Sequence, residues 1–192
     1  MPTQPKTANA LINCINKTVL QGETAISSDP NVVMTTILGS CISACIWDPV
    51  AGIGGMNHFL LPTGDGSNST SLGFGINAME LLLNGLIGRG ADRNNLRVHI
   101  FGGAKMYDGG PRIGERNAEF ARWFLKNEGL NCDSACVGGT LGRKIRFWPA
   151  TGQAQRKFMT DVRNRRLDIA PAFRPPLVDT RPKDDIGDVE LF

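Results

Sequence analysis

Apolar and polar positions alternate through the first third of the chain and recur at helical spacing further on. "NVVMTTILG" (31–39) gathers Val32, Val33, Thr35, Thr36 and Ile37, a β-branched run that predicts a strand. "SCISACIWD" (40–48) sets Ser40, Ile42, Ala44 and Ile46 on one side and Cys41, Ser43, Cys45 and Trp47 on the other. A "DPVAG" turn separates it from "GIGGMNHFLLP" (52–62), which Pro62 ends. With a short strand over "KTVLQG" (17–22), the natural arrangement is a β-meander. "TGDGSNSTSLG" (63–73) reads as a loop. Beyond it Ile76, Met79, Leu83 and Leu86 form a helical stripe closed by Gly88 and Gly90. "NLRVHIFGG" (95–103) predicts a strand. "GERNAEFARWFLKNEG" (114–129) predicts a helix with Ala118, Ala121 and Leu125 on one face and Gly129 as its stop. "LNCDSACVGG" and "RKIRFWPATG" read as two strands around a glycine-rich turn, and "RKFMTDVRNRRLD" (156–168) as a short amphipathic helix, with Phe158 and Val162 four apart. Consecutive strands mixed with helices give class α+β rather than an alternating βαβ chain.

Residues 1–16 are polar and proline-bearing, which predicts a loose arm. Residues 17–170 are expected to form a single domain, and the proline density from Pro171 predicts an extended tail over 171–192. A length of 192 residues suits one medium domain. The 21 basic and 18 acidic residues give a net charge of +3, too mild to argue for nucleic acid, and no glycine-plus-aromatic RNA-binding signature occurs. The longest uncharged run, Pro30 to Trp47, is interrupted by Pro30, Asn31, two threonines, a glycine and two serines, which argues against a membrane span. "ANALINCIN" is a poor signal-peptide core, so the cytoplasm is the expected compartment, with a monomer as the default state. Five cysteines (Cys14, Cys41, Cys45, Cys132, Cys136) fit a closed disulfide set badly and predict free thiols. Cys132, Cys136 and His99 make a weak metal set, because the chain has only two histidines and no CxxC pair. "GGTLGRK" lacks the spacing and the Ser or Thr of a phosphate loop, and the glycines of "GIGGMN" belong to a strand turn.

Candidate chemistry gathers where charge is scarcest. Between Pro30 and Gly64 the only formally charged side chain is Asp48, yet this segment holds Cys41, His58 and the pair Thr35/Thr36. Cys41 follows a Gly-Ser turn at the head of its strand, and His58 lies 58 − 41 = 17 residues later, across one hairpin. Adjacent antiparallel strands bring such positions within side-chain reach. A thiol with an ordinary pKa near ~8.5 is only slightly ionised at neutral pH, so a neighbouring imidazole matters. Thr35 or Thr36 is placed to hold the other ring nitrogen and fix the tautomer. Gly39 permits a tight turn that aims the backbone amides of Ser40 and Cys41 at a developing oxyanion. Buried thiols and histidines are more often packing groups than catalysts, and the spacing leaves both readings open.

"TTILGSCISACIWDPVAGIGGMNHFLLP" (35–62) resembles the signature of the chemoreceptor glutamine deamidase family, CheD. "FGGAKM" (101–106), "IGERNA" (113–118), "GGTLGRKIRFWPATGQ" (138–153) and Lys157 extend the likeness in the same order, over roughly Asn16 to Val162. The resemblance implies hydrolysis of glutamine side-chain amides on bacterial chemoreceptors, giving glutamate and ammonia. It implies Cys41 as the nucleophile, His58 of "GGMNH" as the base and Thr35, six residues before the cysteine, as its orienting group. The implied fold resembles cysteine-dependent toxin deamidases: packed mixed or antiparallel sheets flanked by helices. No metal or organic cofactor is needed, because the thiol supplies the covalent step.

The partners so implied are the cytoplasmic helices of chemoreceptors. The run Arg156, Lys157, Arg163, Arg165 and Arg166 is a candidate for attracting acidic helices, or else a solvated face. The family resemblance also implies binding to a CheC-type phosphatase, so the alternative to an enzyme is a non-catalytic chemotaxis adaptor. A cysteine peptidase is disfavoured, since neither papain-type nor caspase-type local motifs occur. The closing "DVELF" resembles a short acidic-apolar docking peptide.

Overall fold

β-Branched and alternating runs dominate the strands of the computed structural model, which describes residues 14–62, 68–106 and 112–159. Its strands are β1 (Ile15–Thr18), β2 (Thr24–Ser27), β3 (Val32–Leu38), β4 (Ile42–Asp48), β5 (Ile53–Asn57), β6 (Arg97–Gly102), β7 (Asn131–Val137), β8 (Arg143–Trp148) and β9 (Gln153–Phe158). Two helices, α1 (Asn68–Ile87) and α2 (Ile113–Asn127), complete an α+β fold. One sheet has four strands in the order β1-β3-β8-β9, the other five in the order β2-β5-β4-β6-β7.

The central strand β4 explains the layering. Every residue from Ile42 to Asp48 is buried, because both faces of this strand are covered. Ile42, Ala44 and Ile46 pack with Met79, Leu82, Leu83 and Leu86 of α1 and with Ala118, Ala121 and Leu125 of α2. Cys45 and Trp47 pack with Met56 and Phe101 of their own sheet and with Met34, Ile145 and Phe147 of the four-stranded sheet. The five-stranded sheet is thus sandwiched between the helices and the second sheet.

Charge inside this sandwich is structural. Asp48 accepts the N–H groups of Val50, Ala51 and Asp92 at 2.8–3.0 Å and so shapes the turn before β5. Arg143, 1% exposed, donates to the carbonyls of Cys136, Gly138 and Leu141 and locks the turn from β7 to β8. A buried cation satisfied by carbonyl dipoles avoids most of the cost of desolvation.

Four expectations change. The meander is broken: β4 and β5 form an antiparallel hairpin, but β3 lies in the other sheet, parallel to β1 and antiparallel to β8. Local alternation predicts strands and says nothing of which sheet receives them. β1 begins at Ile15, inside the stretch expected as an arm, and the strand expected over 17–22 becomes β1, a turn, and then β2. The loop expected over 63–73 gives way to helix from Asn68, with Ser71 Oγ donating to the Pro62 carbonyl at 2.9 Å; residues 63–67 lie outside the described residues. Residues 156–158 close the edge strand β9 instead of opening a helix, because the turn through Gly152 (φ +74°) returns the chain onto β8. The rest of that expected helix, the boundary at 170 and the tail over 171–192 lie outside the described residues.

The paired glycines ending β6 let two backbones meet where the chain changes sheets. Gly102 has φ +116°, and a Cβ there would collide with the carbonyl oxygen of Cys41. Gly102→Ala combines backbone strain with that collision, and is expected to lower unfolding free energy by about 2 kcal/mol or more. Urea denaturation checks this; an unchanged midpoint would contradict the close approach.

Candidate active site

Gly39 to Cys41 carry the chain from β3 in one sheet to β4 in the other, and all three carbonyls of this crossing are held. The Ala104 N–H donates to Gly39 O at 2.8 Å and the Gly103 N–H to Cys41 O at 2.7 Å. The Asn117 side-chain amide donates to Ser40 O at 3.0 Å. Cys41 therefore stands at a fixed, half-buried corner. Burial pushes its thiol above the ordinary range, and the pull of its own backbone amide offsets this only partly.

His58 follows directly on β5. Its neighbour Phe59 forms an antiparallel bridge with Ile42, the two residues exchanging N–H···O bonds of 2.9 Å. That register makes Cys41 and His58 diagonal cross-strand neighbours on one face, opposite the face where Ile42 and Phe59 meet the helices. Beside the bridge, the Asn57 side chain takes the Ala44 N–H (2.9 Å) and donates to the Ala78 carbonyl on α1 (2.9 Å).

The imidazole is oriented from the other sheet. Thr36 Oγ1 lies 2.9 Å from His58 Nδ1 and 2.8 Å from the Val19 carbonyl, while Nδ1 itself is 3.4 Å from that carbonyl. A carbonyl only accepts, so the single Thr36 hydroxyl proton goes to Val19, and Thr36 must accept from Nδ1–H. The network thus assigns the proton to Nδ1 and leaves the lone pair on Nε2. Nε2 is buried and has no hydrogen-bond partner among the described residues. Burial pulls the imidazole pKa below the ordinary value, against a smaller raising effect of the Val19 carbonyl. Burial thus disfavours the charged forms of both groups, the thiolate and the imidazolium.

Thr36, at 3% exposure, takes the position expected for Thr35. Successive strand residues face opposite sides, and Thr35 is half-buried on the other face of β3, in register with Thr18 and Arg146. The doubled threonine carried no sign of which member faces inward. Ser40 and Cys41 lie at the crossing between the sheets, with their carbonyls engaged as above. Arg156 and Lys157 sit on β9, where Arg156 donates to Cys136 Sγ at 2.9 Å; Arg163, Arg165 and Arg166 lie outside the described residues. Cys132 and Cys136 are free thiols on β7, and His99 stacks on Trp47 with ring centroids 4.5 Å apart.

Two residues escaped the sequence reading. Asn117 on α2, fully buried, joins Ser40 O, the Leu61 N–H (2.8 Å) and Ile113 O (2.9 Å), tying the cysteine corner to the segment after His58. Gln21, in the turn between β1 and β2, meets the nucleophile candidate directly: Cys41 Sγ donates to its Oε1 at 3.3 Å. Asn117 interrupts the apolar face of its helix, a signal that was present; Gln21 gave none.

Residues 60–158 match the family model for CheD, described as CheD chemotactic sensory transduction. A Caulobacter vibrioides protein named probable chemoreceptor glutamine deamidase CheD is 48% identical over 176 residues, covering 91% of each chain. An Agrobacterium fabrum protein of the same name is 47% identical over 175 residues, covering 91% of this chain and 94% of that one. Among solved structures, a Neisseria meningitidis protein of the DUF152 family model overlaps 67% of this chain and 64% of its own at TM-score 0.43 and 10% identity.

Asn117→Ala removes a donor and an acceptor from buried partners and is expected to cost about 2–3 kcal/mol of stability. It should also loosen the corner that carries Cys41. Thermal unfolding, read with the rate of Cys41 alkylation, checks both; unchanged values for the variant would contradict the clamp.

Proposed function

Because this chain belongs to the CheD family, we propose that it deamidates glutamine side chains on chemoreceptors, with Cys41 as nucleophile, His58 as general base and Thr36 as the group that orients His58. The observation that carries this reading is the bare Nε2 of His58, left as a base by the bonds at Nδ1, on the same face as the Cys41 thiol.

The chemistry follows from those groups. His58 Nε2 takes the thiol proton as Cys41 Sγ attacks the carboxamide carbon. The tetrahedral oxyanion is met by the backbone amides of Ser40 and Cys41. Collapse breaks the C–N bond, and the imidazolium returns its proton to the leaving nitrogen, releasing ammonia and leaving a thioester. Water, deprotonated by the same imidazole, then cleaves the thioester to glutamate and restores the thiol. One water is consumed and one ammonia leaves per turnover. Raising the thiol pKa and lowering that of the imidazole keeps the resting site uncharged, so charge develops only in the transition state.

The substrate reading comes from the relatives' names together with one surface. Leu61, three residues after His58, lines an open cleft of about 430 Å³ with Ser71 and Leu72 of α1 and Arg116, Phe120 and Trp123 of α2. The cleft lies on the helix side of the five-stranded sheet, away from Cys41 and His58, and so offers a receptor helix a docking contact apart from the reacting groups. Its Arg116 and Glu119 offer both charge signs to a partner. Action on chemoreceptor signalling helices would put the enzyme in the cytoplasm; separately, no helix among the described residues is long and apolar enough to cross a membrane. The exposed Trp123 of that cleft equally favours a second reading, an adaptor that binds receptors or a CheC-type phosphatase without chemistry.

Incubation with a chemoreceptor cytoplasmic fragment is expected to release ammonia and convert particular glutamines to glutamate, located by peptide mass spectrometry. Cys41→Ala and His58→Ala should abolish this, and Thr36→Val should reduce it about tenfold to a hundredfold, as loss of an orienting hydrogen bond does. The rate should hold as pH falls below the ordinary imidazole value, since burial depresses the His58 pKa and the base stays unprotonated. Receptor binding that persists in wild type and Cys41→Ala, with no conversion by either, would favour the adaptor.

A further inference from the structure

We propose that Gln21 is a further catalytic residue: its side-chain amide donates first to the Cys41 sulfur as it loses its proton, and then to the oxyanion formed on the carbon that sulfur attacks. The proposal rests on the acyl-transfer reading of Cys41 given above.

Three observations carry it. The first is contact: the Gln21 carboxamide is within hydrogen-bond distance of the reacting sulfur, its Oε1 accepting from Cys41 Sγ at 3.3 Å. An oxygen on a carbon newly bonded to that sulfur falls within reach of the same carboxamide.

The second is rigidity of the base from which Gln21 projects. Glu23 N–H donates to Leu20 O at 3.0 Å, and the Glu23 carboxylate accepts the Leu20 N–H at 2.8 Å, closing the turn. Gly22 (φ +88°) donates to the His58 carbonyl at 2.7 Å, and the His58 N–H donates to the Glu23 carbonyl at 3.0 Å. The turn is therefore bolted to the backbone of the candidate base through the two residues that follow Gln21. The anchored turn fixes the backbone of Gln21 beside the reacting sulfur, so that only its side-chain carboxamide has to rotate.

The third is direction: the backbone amides of Ser40 and Cys41 approach from the crossing, and the Gln21 side-chain amide adds a donor from the turn between β1 and β2.

The carboxamide suits both stages of the reaction. Its oxygen and nitrogen ends have nearly the same shape, and half a turn about the Cγ–Cδ bond exchanges them. At rest the thiol is protonated and needs an acceptor, which Oε1 provides. Once the proton has passed to His58 Nε2, the sulfur and then the oxyanion need a donor, which Nε2–H provides. Gln21 is exposed, so this rotation disturbs no packing. No atom of Gln21 is consumed: it changes hydrogen-bond role, while the proton moves between Cys41 and His58.

The test compares the full-length protein with its Gln21→Ala and Gln21→Glu variants. On a chemoreceptor cytoplasmic fragment, Gln21→Ala is expected to lower kcat about a hundredfold to a thousandfold with KM little changed, the cost of one oxyanion donor. Gln21→Glu, which offers a carboxylate in place of the donor, should lose at least as much. A second arm needs no substrate: the pH dependence of Cys41 alkylation by iodoacetamide, followed on the Cys41 peptide. Losing a donor to the thiolate should move its titration upward in Gln21→Ala and further upward in Gln21→Glu. Among the described residues, His58 and Glu23 are the titratable groups on the segments that meet beside this thiol, and Glu23→Gln controls for the turn. Unchanged kcat and unchanged thiol titration in Gln21→Ala would overturn the proposal. So would finding residue 21 converted to glutamate in the wild-type protein but not in Cys41→Ala, which would make it a captive substrate. Should the wild type deamidate no receptor fragment, the deamidase reading fails, and the alkylation arm alone decides the role of Gln21.

Discussion

The Thr36 hydroxyl, shared between the Val19 carbonyl and His58 Nδ1, is the interaction on which the site depends. Val19 and Thr36 belong to the region of the four-stranded sheet, whereas His58 extends a strand of the five-stranded one. The base is thus set by one layer and oriented by another, and the tautomer is correct only when the layers are packed. Met34, Leu38, Ile145 and Phe147, facing Cys45, Met56 and Phe101 across the interlayer core, supply that packing. Burial of this core and orientation of the imidazole are one event.

The nucleophile obeys the same logic from a different direction. Cys41 is placed by a backbone crossing whose carbonyls are satisfied by the two residues after β6 and by α2. Glycine is required where β6 meets this crossing, because only a residue without Cβ fits against the Cys41 carbonyl at φ +116°. The turn carrying Gln21 is tied to His58 itself. Three separate segments therefore meet at one sulfur and one ring. Burial lowers the pKa of the ring and raises that of the sulfur, disfavouring charge on both.

Much of this was legible in the chain. The two faces of "SCISACIWD" are the two faces of β4, and the stripes through Met79 and Leu83 and through Ala118 and Ala121 are the buried faces of α1 and α2. Cys41 and His58 were legible as neighbours because the short turn between β4 and β5 leaves few registers for that hairpin. Sheet membership was not, since β3 and β4 are adjacent in sequence, separated by three residues, and both alternate; only the long-range pairing of β3 with β8 assigns them to different sheets. Thr36 rather than Thr35 follows from that same assignment, because it decides which face of β3 looks at His58. β9 was missed because an exposed edge strand such as "QAQRKF" carries no buried stripe. Gln21 was missed because an exposed polar turn residue acquires meaning only from what the fold brings beside it.

The most direct test of the shared-proton arrangement is the tautomer of His58, read by ¹⁵N NMR on histidine-labelled protein. The chain has two histidines, so a His99→Gln variant assigns the signals. Near neutral pH the His58 ring should be uncharged, with its proton on Nδ1 and Nε2 bare, and Thr36→Val should disturb that preference. A proton found on Nε2, or an imidazolium at neutral pH, would contradict the arrangement on which the candidate site depends.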